Sequence, residues 1–351
     1  MPAARRTHRA AGLSPAASAP ARLRVGVIGA GQYATSYHLP HLLANPSVQV
    51  QAVCDASPER LAAVAPAPGP PRAYTDHRHL LEREDLDAVT VSSPHGLHHR
   101  HARDALDRGL HVLVDKHFVL RTSEARELIA LARARGRVLL VALNRHLDPA
   151  NLYARDLIRG GALGTVYFAR ALQLGYPSDR FYADPELGGG GPLVGRGTHM
   201  ASLIPWLTGW RPRAVTAVFA DRGGPVDAGA AVAVDFGGGA LGQIASLADA
   251  HRNVDEVAVY GTGGVVVVER VPGRPGWTVR QHDAAGDVPP GPLPAGQTTT
   301  DHFVDVILGR AELRIPLDDA LAAVQIVEAA YESARTGRPA AVSDAPLEGA
   351  G

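Results

Sequence analysis

An α/β fold in two parts is predicted: a doubly wound parallel sheet, then a second unit built on an antiparallel sheet. Three observations carry this prediction. Short apolar runs alternate with helical segments up to residue 143, and beyond about residue 144 the runs come closer together with glycine turns between them. A glycine-tight bend follows the first run, and a carboxylate closes the second. At 351 residues the chain is too long for one ordinary core and comfortable for two domains.

In order, the run 23–28 reads as a buried parallel strand that ends at glycines. The run 48–55 is a second strand, ending in Asp55. Runs 87–92 and 111–115 supply two more, joined by a helix over 98–108 that Gly109 closes. A helix over 122–135 follows, with Thr122 or Ser123 as its cap, an apolar face from Leu128, Ile129 and Leu131, and Gly136 as its stop. The run 138–143 completes the first unit, 22–143.

In the second unit, 144–345, Asp148 and Pro149 start a helix that runs to Ile158 and stops at Gly160 and Gly161. Strands are expected over 166–174, 214–220, 230–236, 242–247 and 257–260, with glycine turns at 237–239 and 261–264. A last long helix over 317–336 ends at Gly337. The Pro/Gly-rich stretch 272–296 reads as a surface excursion. Residues 1–21, rich in Ala, Arg, Pro and Ser, read as a disordered tail.

Composition narrows the function classes. Hydrophobic residues at 46% and charged residues at 20% are the balance of a soluble globular protein. Acidic and basic residues cancel at 35 each, so no basic field is present to collect phosphate backbones, and nucleic acid is not an expected partner. No apolar stretch reaches the roughly 18 residues that a membrane span needs. The single cysteine, Cys54, cannot form an intrachain disulfide, and the start of the chain has no apolar signal core, so a reducing, cytoplasmic setting is expected.

The segment Gly29-Ala30-Gly31-Gln32-Tyr33-Ala34 follows the first strand and opens a helix, matching G-x-G-x-x-G/A. Gly29 permits the tight turn, Gly31 lets the backbone approach a pyrophosphate, and small Ala34 lets helix and strand pack closely. The helix start, with Gln32 and Tyr33, offers unpaired amides and a partial positive charge to phosphates. Asp55 is placed to accept hydrogen bonds from the adenosine ribose; alternatively it caps the helix that begins near Pro58. Its charge favours NAD, and nearby Arg60 keeps NADP open.

With these residues in order, the chain resembles the Gfo/Idh/MocA oxidoreductases, from about Leu23 to Val342. Ser93-Pro94-His95-Gly96-Leu97-His98 resembles the family's T-P-N-x-x-H loop, with His95 in place of Asn. Asp115-Lys116-His117 resembles its E-K-P motif, and 189–199 resembles G-G-G-x-x-x-D-x-G-x-H, ending at His199. The resemblance implies a Rossmann domain followed by an open, mostly antiparallel sheet in an α+β domain, with the active site between them. It places Ser93, Pro94 and His98 along the cofactor cleft, and has Asp115 orient Lys116 or contact the nicotinamide ribose. Lys116 lies just past the carboxyl end of a parallel strand, where open α/β sheets bind ligands, and becomes the expected acid/base at a reacting oxygen. His199 is the expected second one, an imidazole with an ordinary pKa of about 6.5. Asn144 and Arg145 resemble the family's N-R-R segment and either touch nicotinamide or substrate, or pin the hinge.

Two departures bear on the chemistry. The family aspartate four residues before the histidine is Gly195 here, and the one three residues after it is Ser202. Asp184, Tyr182 or Arg196 substitutes, or the substrate differs from ordinary polyols, or catalysis is impaired. The run His95, His98, His99, His101 has helical spacing for a metal pair, but no acidic or cysteine ligand joins it locally, so no metal is expected. The implied reaction is hydride transfer between NAD(P) and a secondary alcohol or ketone of a sugar, cyclitol or related polyhydroxylated metabolite. The rivals are a redox-neutral epimerase or glycosidase that keeps NAD bound, and a non-catalytic cofactor or ligand sensor. An open sheet has an apolar face to cover, which predicts a homo-oligomer, a dimer or tetramer.

Overall fold

The computed structural model describes residues 22–64, 71–175, 181–248, 250–271, 273 and 276–342. The expected tail over 1–21 lies outside them. The first sheet is parallel, with six strands: β1 (Leu23–Ile28), β2 (Val48–Cys54), β3 (Arg72–Tyr74), β4 (Ala88–Val91), β5 (His111–Asp115) and β6 (Leu139–Ala142), in the spatial order β3-β2-β1-β4-β5-β6. Its central strands are apolar on both faces because helices cover both faces. Arg24 is the polar residue of β1; its backbone N–H and its guanidinium Nη2 donate to Asp87 at 2.8 and 2.7 Å, aligning β1 with the start of β4.

The second sheet is mixed and mostly antiparallel. Its nine strands are β7 (Val166–Leu174), β8 (Ala214–Ala220), β9 (Gly229–Gly237), β10 (Ala240–Leu247), β11 (Val254–Gly261), β12 (Gly264–Arg270), β13 (Thr278–Asp283), β14 (Gly286–Val288) and β15 (Ala340–Ala341). They lie in the order β14-β13-β12-β11-β7-β10-β9-β8-β15, and the β7–β10 pair is parallel. Helices Pro149–Arg159, Thr198–Thr208 and Leu317–Thr336 pack on one face, and Leu152, Leu203, Trp206, Ile244, Val266 and Ile326 share that core. Alternation of buried and exposed residues along β9 and β10 leaves the other face open. The first core recruits Phe303, Val304, Ile315, Leu321 and Val324 from the end of the chain, so the last helices bridge the two sheets.

Several elements differ from expectation for local reasons. The stretch 272–296 is not a plain excursion, because β13 and β14 extend the sheet edge. Arg280 Nε meets Glu269 Oε1 at 2.7 Å across the β12–β13 ladder, and the short β14 then pairs with Gln281, His282 and Asp283 as the edge strand. The helix expected over 98–108 is His95–Asp107, starting directly after Pro94. The next helix is preceded by Arg121, not capped by Thr122 or Ser123. Glu124 accepts from the Arg121 N–H at 3.2 Å, while the Thr122 N–H donates to Glu328 at 2.9 Å. Helices Thr198–Thr208 and Thr299–Ile307 add to those expected.

Two π-wound segments, Ala34–His38 and Leu193–Gly197, sit within longer helical stretches at the junction of the units. Such widened turns occur often at functional sites, and here both present groups to the cleft described next. Among the described residues, no helix is long and apolar enough to cross a membrane.

Candidate active site

The carboxyl ends of β1, β2, β4, β5 and β6 share one edge, and the residues that follow them line it. Gly29 has φ 100°, and a Cβ there would lie 2.5 Å from the Ser92 carbonyl carbon, so the bend requires glycine. Ala30 N–H donates to Asp55 Oδ2 at 2.8 Å, so the carboxylate at the end of β2 braces the turn itself. Asp55 Oδ1 accepts from Ser57 N–H at 2.9 Å, and Arg60 lies 3.7 Å away. The cap of the helix Pro58–Val64 falls to Ser57, whose Oγ accepts from Arg60 N–H at 3.3 Å; Asp55 is left for the turn. A Cβ on Gly31 would meet nothing within 4 Å. The bend therefore has an open side, and the bare Gly31 cradle with exposed Gln32 and Tyr33 at the helix start fits a dinucleotide phosphate. Tyr33 stacks on Tyr37 at 5.0 Å, and its hydroxyl accepts from Asn144 Nδ2 at 3.3 Å.

Two expected cleft residues turn inward. His98 is fully buried; its Nε2 lies 2.7 Å from the Ser93 carbonyl and its Nδ1 2.8 Å from the His117 carbonyl. Both ring nitrogens are committed to backbone, so His98 does not line the cofactor cleft; it ties the turn after β4 to the turn after β5. Ser93 is likewise buried, with its hydroxyl on His101 Nδ1 at 2.9 Å, which leaves only its backbone for the cleft. Pro94 sets the entry to the helix His95–Asp107. The histidine run is split among separate partners: His95 on the Gly188 carbonyl, His99 on Glu127 and His101 on Ser93. Among the described residues, no group of three or more His, Cys, Asp or Glu is placed to hold a metal.

Asp115 pairs with His38, Oδ1 to Nε2 at 2.7 Å, and His38 Nδ1 reaches Thr300 Oγ1 at 2.7 Å. This buried chain links the dinucleotide helix, β5 and the helix Thr299–Ile307. His117 Nδ1 meets Thr198 Oγ1 at 2.9 Å, so the turn carrying Lys116 is anchored on both sides. Lys116, half-buried, donates from Nζ to the Gly195 carbonyl at 2.5 Å and sits 5.7 Å from the centre of the Tyr182 ring. The structure thus brings Lys116 to the segment that leads into His199.

His199 Nδ1 is buried without a hydrogen-bond partner. Burial, reinforced by the nearby cations Arg145 and Lys116, pushes its pKa well below the ordinary 6.5, so the imidazole is neutral near pH 7. Ser202 does not stand in for a carboxylate; its hydroxyl donates to the His199 carbonyl at 2.9 Å. Asp184 is exposed and caps the amides of Glu186 and Leu187 at 2.8 and 3.1 Å. Arg145 forms a buried pair with Asp255 at 3.0 Å and lies over Trp277 at 5.1 Å. Burial lowers its pKa to about 10. Gln173 also binds Asp255, so Arg145 pins the junction to β7 and β11, and it borders a cleft of about 380 Å³ with Tyr37, Asn144, Trp277 and Gln297. Sequence reasoning assigned no role to His38, Thr300, His117, Thr198 or Asp255; each stands among other polar residues, as Thr300 does between Thr299 and Asp301, so no local pattern singles it out.

Comparison with known proteins places this geometry in context. Residues 23–143 match the model of the GFO/IDH/MocA oxidoreductase family, NAD-binding Rossmann fold, and residues 151–267 match the GFO/IDH/MocA C-terminal domain. The chain is 32% identical to D-glucoside 3-dehydrogenase of Escherichia coli (strain K12) over 191 residues, 54% of each chain. It is 38% identical over 177 residues to a dTDP-3,4-didehydro-2,6-dideoxy-alpha-D-glucose 3-reductase of Streptomyces antibioticus, covering 49% of this chain and 53% of that one. The chain thus spans about half the length of these curated relatives. Among solved structures, GenD2 from gentamicin A biosynthesis in complex with NAD is 30% identical, with a TM-score of 0.80 over 95% of this chain and 100% of that one. Aldose-aldose oxidoreductase from Caulobacter crescentus complexed with glycerol is 26% identical, with a TM-score of 0.81 over 92% and 100%. On these matches, the chain belongs to the GFO/IDH/MocA family of oxidoreductases.

Proposed function

We propose that this chain is an NAD-dependent oxidoreductase acting on a secondary alcohol or ketone of a sugar, cyclitol or related polyhydroxylated metabolite, with NADP as the second cofactor choice. The observation that carries the reading is the Lys116 ammonium, held past the carboxyl end of β5 against the Gly195 carbonyl and near a neutral His199. Nicotinamide, when bound, supplies the hydride acceptor or donor. Gly29, Gly31, Gln32 and Tyr33 receive the dinucleotide, with Ser93 and Pro94 bordering it through their backbone. Asp55 reaches its ribose, Asp115 sets the Lys116 turn through His38, and Arg145 walls the adjoining cleft.

In the oxidation direction, Lys116 hydrogen-bonds the reacting oxygen and stabilises charge as it develops there. His199, neutral and with a free Nδ1, accepts a hydrogen bond from the reacting hydroxyl and orients it. The hydroxyl proton passes to water as the hydride leaves and returns from water in reduction. The relatives named for glucosides and deoxyglucoses support a sugar ring as substrate.

The same reading assigns 22–143 to the dinucleotide and 144–345 to substrate and subunit contacts. Val218, Leu241 and Tyr167 stand exposed on the second unit, which favours a second copy covering them in a dimer or tetramer, and a cytoplasmic setting fits the lone buried Cys54. The test is nicotinamide absorbance with NAD or NADP against a panel of pyranosides, aldoses and cyclitols. Turnover with at least one, lost in Lys116→Ala, is expected. Tight NAD binding with no turnover across the panel would overturn the reading in favour of a ligand sensor.

A further inference from the structure

Two departures from the family pattern, His95 and Gly195, touch the same aromatic residue. A Cβ built on Gly195 would lie 3.0 and 3.2 Å from Cδ1 and Cε1 of Tyr182, so the Tyr182 ring fills the space a side chain at 195 would use. His95 packs edge-on against Tyr182 at 5.4 Å and against Phe181 at 5.1 Å. Its Nδ1 sits 2.9 Å from the Gly188 carbonyl, which fixes the ring that supports the pair. Phe181 and Tyr182 stack on each other at 4.3 Å and 28°. Tyr182 is therefore held in place, half-buried, with Lys116 5.7 Å from its ring centre. Among the described residues its hydroxyl has no hydrogen-bond partner.

From this we infer that Tyr182 is a specificity-determining residue that occupies the place of a carboxylate at 195 and selects a ring-form sugar, a pyranoside, over an open-chain polyol. The inference rests on the function proposed above and narrows its substrate class. A carboxylate beside Lys116 would bind hydroxyls from any polyol. Phe181 covers one face of the Tyr182 ring; the apolar surface left beside Lys116 pairs with the C–H face of a pyranose chair, and one hydroxyl orients it. An open chain has no such face to present. The exchange also removes a negative charge next to the ammonium, so Lys116 keeps a backbone carbonyl and an aromatic ring as its neighbours.

The test compares wild type, Tyr182→Phe, Tyr182→Ala, Gly195→Asp and the double variant Gly195→Asp/Tyr182→Ala. The probes are methyl glucoside and glucitol, each assayed for turnover and titrated calorimetrically against the NADH-loaded protein. Tyr182→Ala should raise both KM and the dissociation constant for methyl glucoside about tenfold, with a smaller change in kcat, while Tyr182→Phe retains the greater part of the affinity. Gly195→Asp alone should lose affinity for both probes, because its side chain meets the ring. The double variant should bind glucitol more tightly than Gly195→Asp does, while its affinity for methyl glucoside stays below that of wild type because the ring face is gone.

An unchanged dissociation constant for methyl glucoside in folded Tyr182→Ala would overturn the inference, as would a double variant no better than Gly195→Asp. If wild type binds methyl glucoside but turns over no sugar, the proposed function falls, while the calorimetric comparison still decides the role of Tyr182.

Discussion

Replacing Gly31 by valine separates the cofactor site from the fold. A Cβ at this position touches nothing within 4 Å, and its φ lies outside the left-handed region, so folding has no need of glycine there. The cost of Gly31→Val to the cofactor-free protein should stay within about 1 kcal/mol, or about 1.4 °C in melting temperature for a chain this long. The valine methyls would instead stand in the open side of the bend, where a pyrophosphate must approach the backbone. NAD at a hundredfold excess over its dissociation constant stabilises wild type by about 2.7 kcal/mol. With an unfolding entropy of about 2.1 cal/mol/K per residue over 351 residues, this is an upward shift of about 4 °C. Differential scanning fluorimetry with and without NAD should show that shift in wild type and none in Gly31→Val, whose cofactor-free melt should match wild type. Gly29→Ala is the contrasting control: φ 100° and a Cβ 2.5 Å from the Ser92 backbone should lower the melt before any cofactor is added. An NAD-induced shift in Gly31→Val equal to that of wild type would refute the placement of the dinucleotide on this bend.

Other outcomes follow from the same geometry. Lys116→Ala should bind NAD nearly as tightly as wild type by calorimetry and lose about 10²- to 10⁴-fold in kcat. Asp255→Ala leaves the buried Arg145 guanidinium without its carboxylate and should cost about 3–5 kcal/mol in denaturant unfolding. Burial lowers His101, His117 and His146 to about 3, below their ordinary 6.5, so the unfolded chain binds more protons between those limits. Stability should therefore be full above pH 6.5 and fall on acidification towards pH 3, by about 1.4 kcal/mol per pH unit for each histidine, read from urea midpoints across that range.

Five of the six strands of the parallel sheet were legible as short apolar runs, three of them with a chemical marker at the carboxyl end: glycines after β1, Asp55 after β2 and Lys116 after β5. The edge strand β3, exposed Arg72 and Ala73 with Tyr74, carries no such run and was missed. Burial on both faces and strand-end chemistry are local signals, and a sequence displays them directly. The second sheet was less legible at its edge. β13 carries Arg280, Gln281 and His282 between flanks rich in Pro and Gly, so its pairing with β12 depends on a cross-strand partner, Glu269, that no local pattern points to.

The site divides the same way. Gly29, Gly31 and Asp55 carry their reasons in the local pattern, and Lys116 carries its reason through the motif it shares with the family. His38 has neither: it ends a π-wound segment, where helical spacing no longer predicts the facing, and its partner Asp115 lies on another strand. His98 was placed at the cleft by the motif it shares with the family, and only the packing of the helix His95–Asp107 shows both its ring nitrogens on backbone carbonyls. The missing carboxylate at Gly195 was visible, but its occupant was one of three candidates until the packing of Tyr182 against that backbone was known.

The proposed function has this chain pass hydride between a sugar carbon and nicotinamide beside Lys116. A single-turnover reaction with excess enzyme, NAD and a pyranoside deuterated at its ring carbons, analysed by mass spectrometry of the nicotinamide, follows that hydride. Reduced nicotinamide carrying one deuterium, formed by wild type and not by Lys116→Ala, is the predicted result. Nicotinamide that stays oxidised and undeuterated while bound NAD is confirmed in the same sample would contradict it.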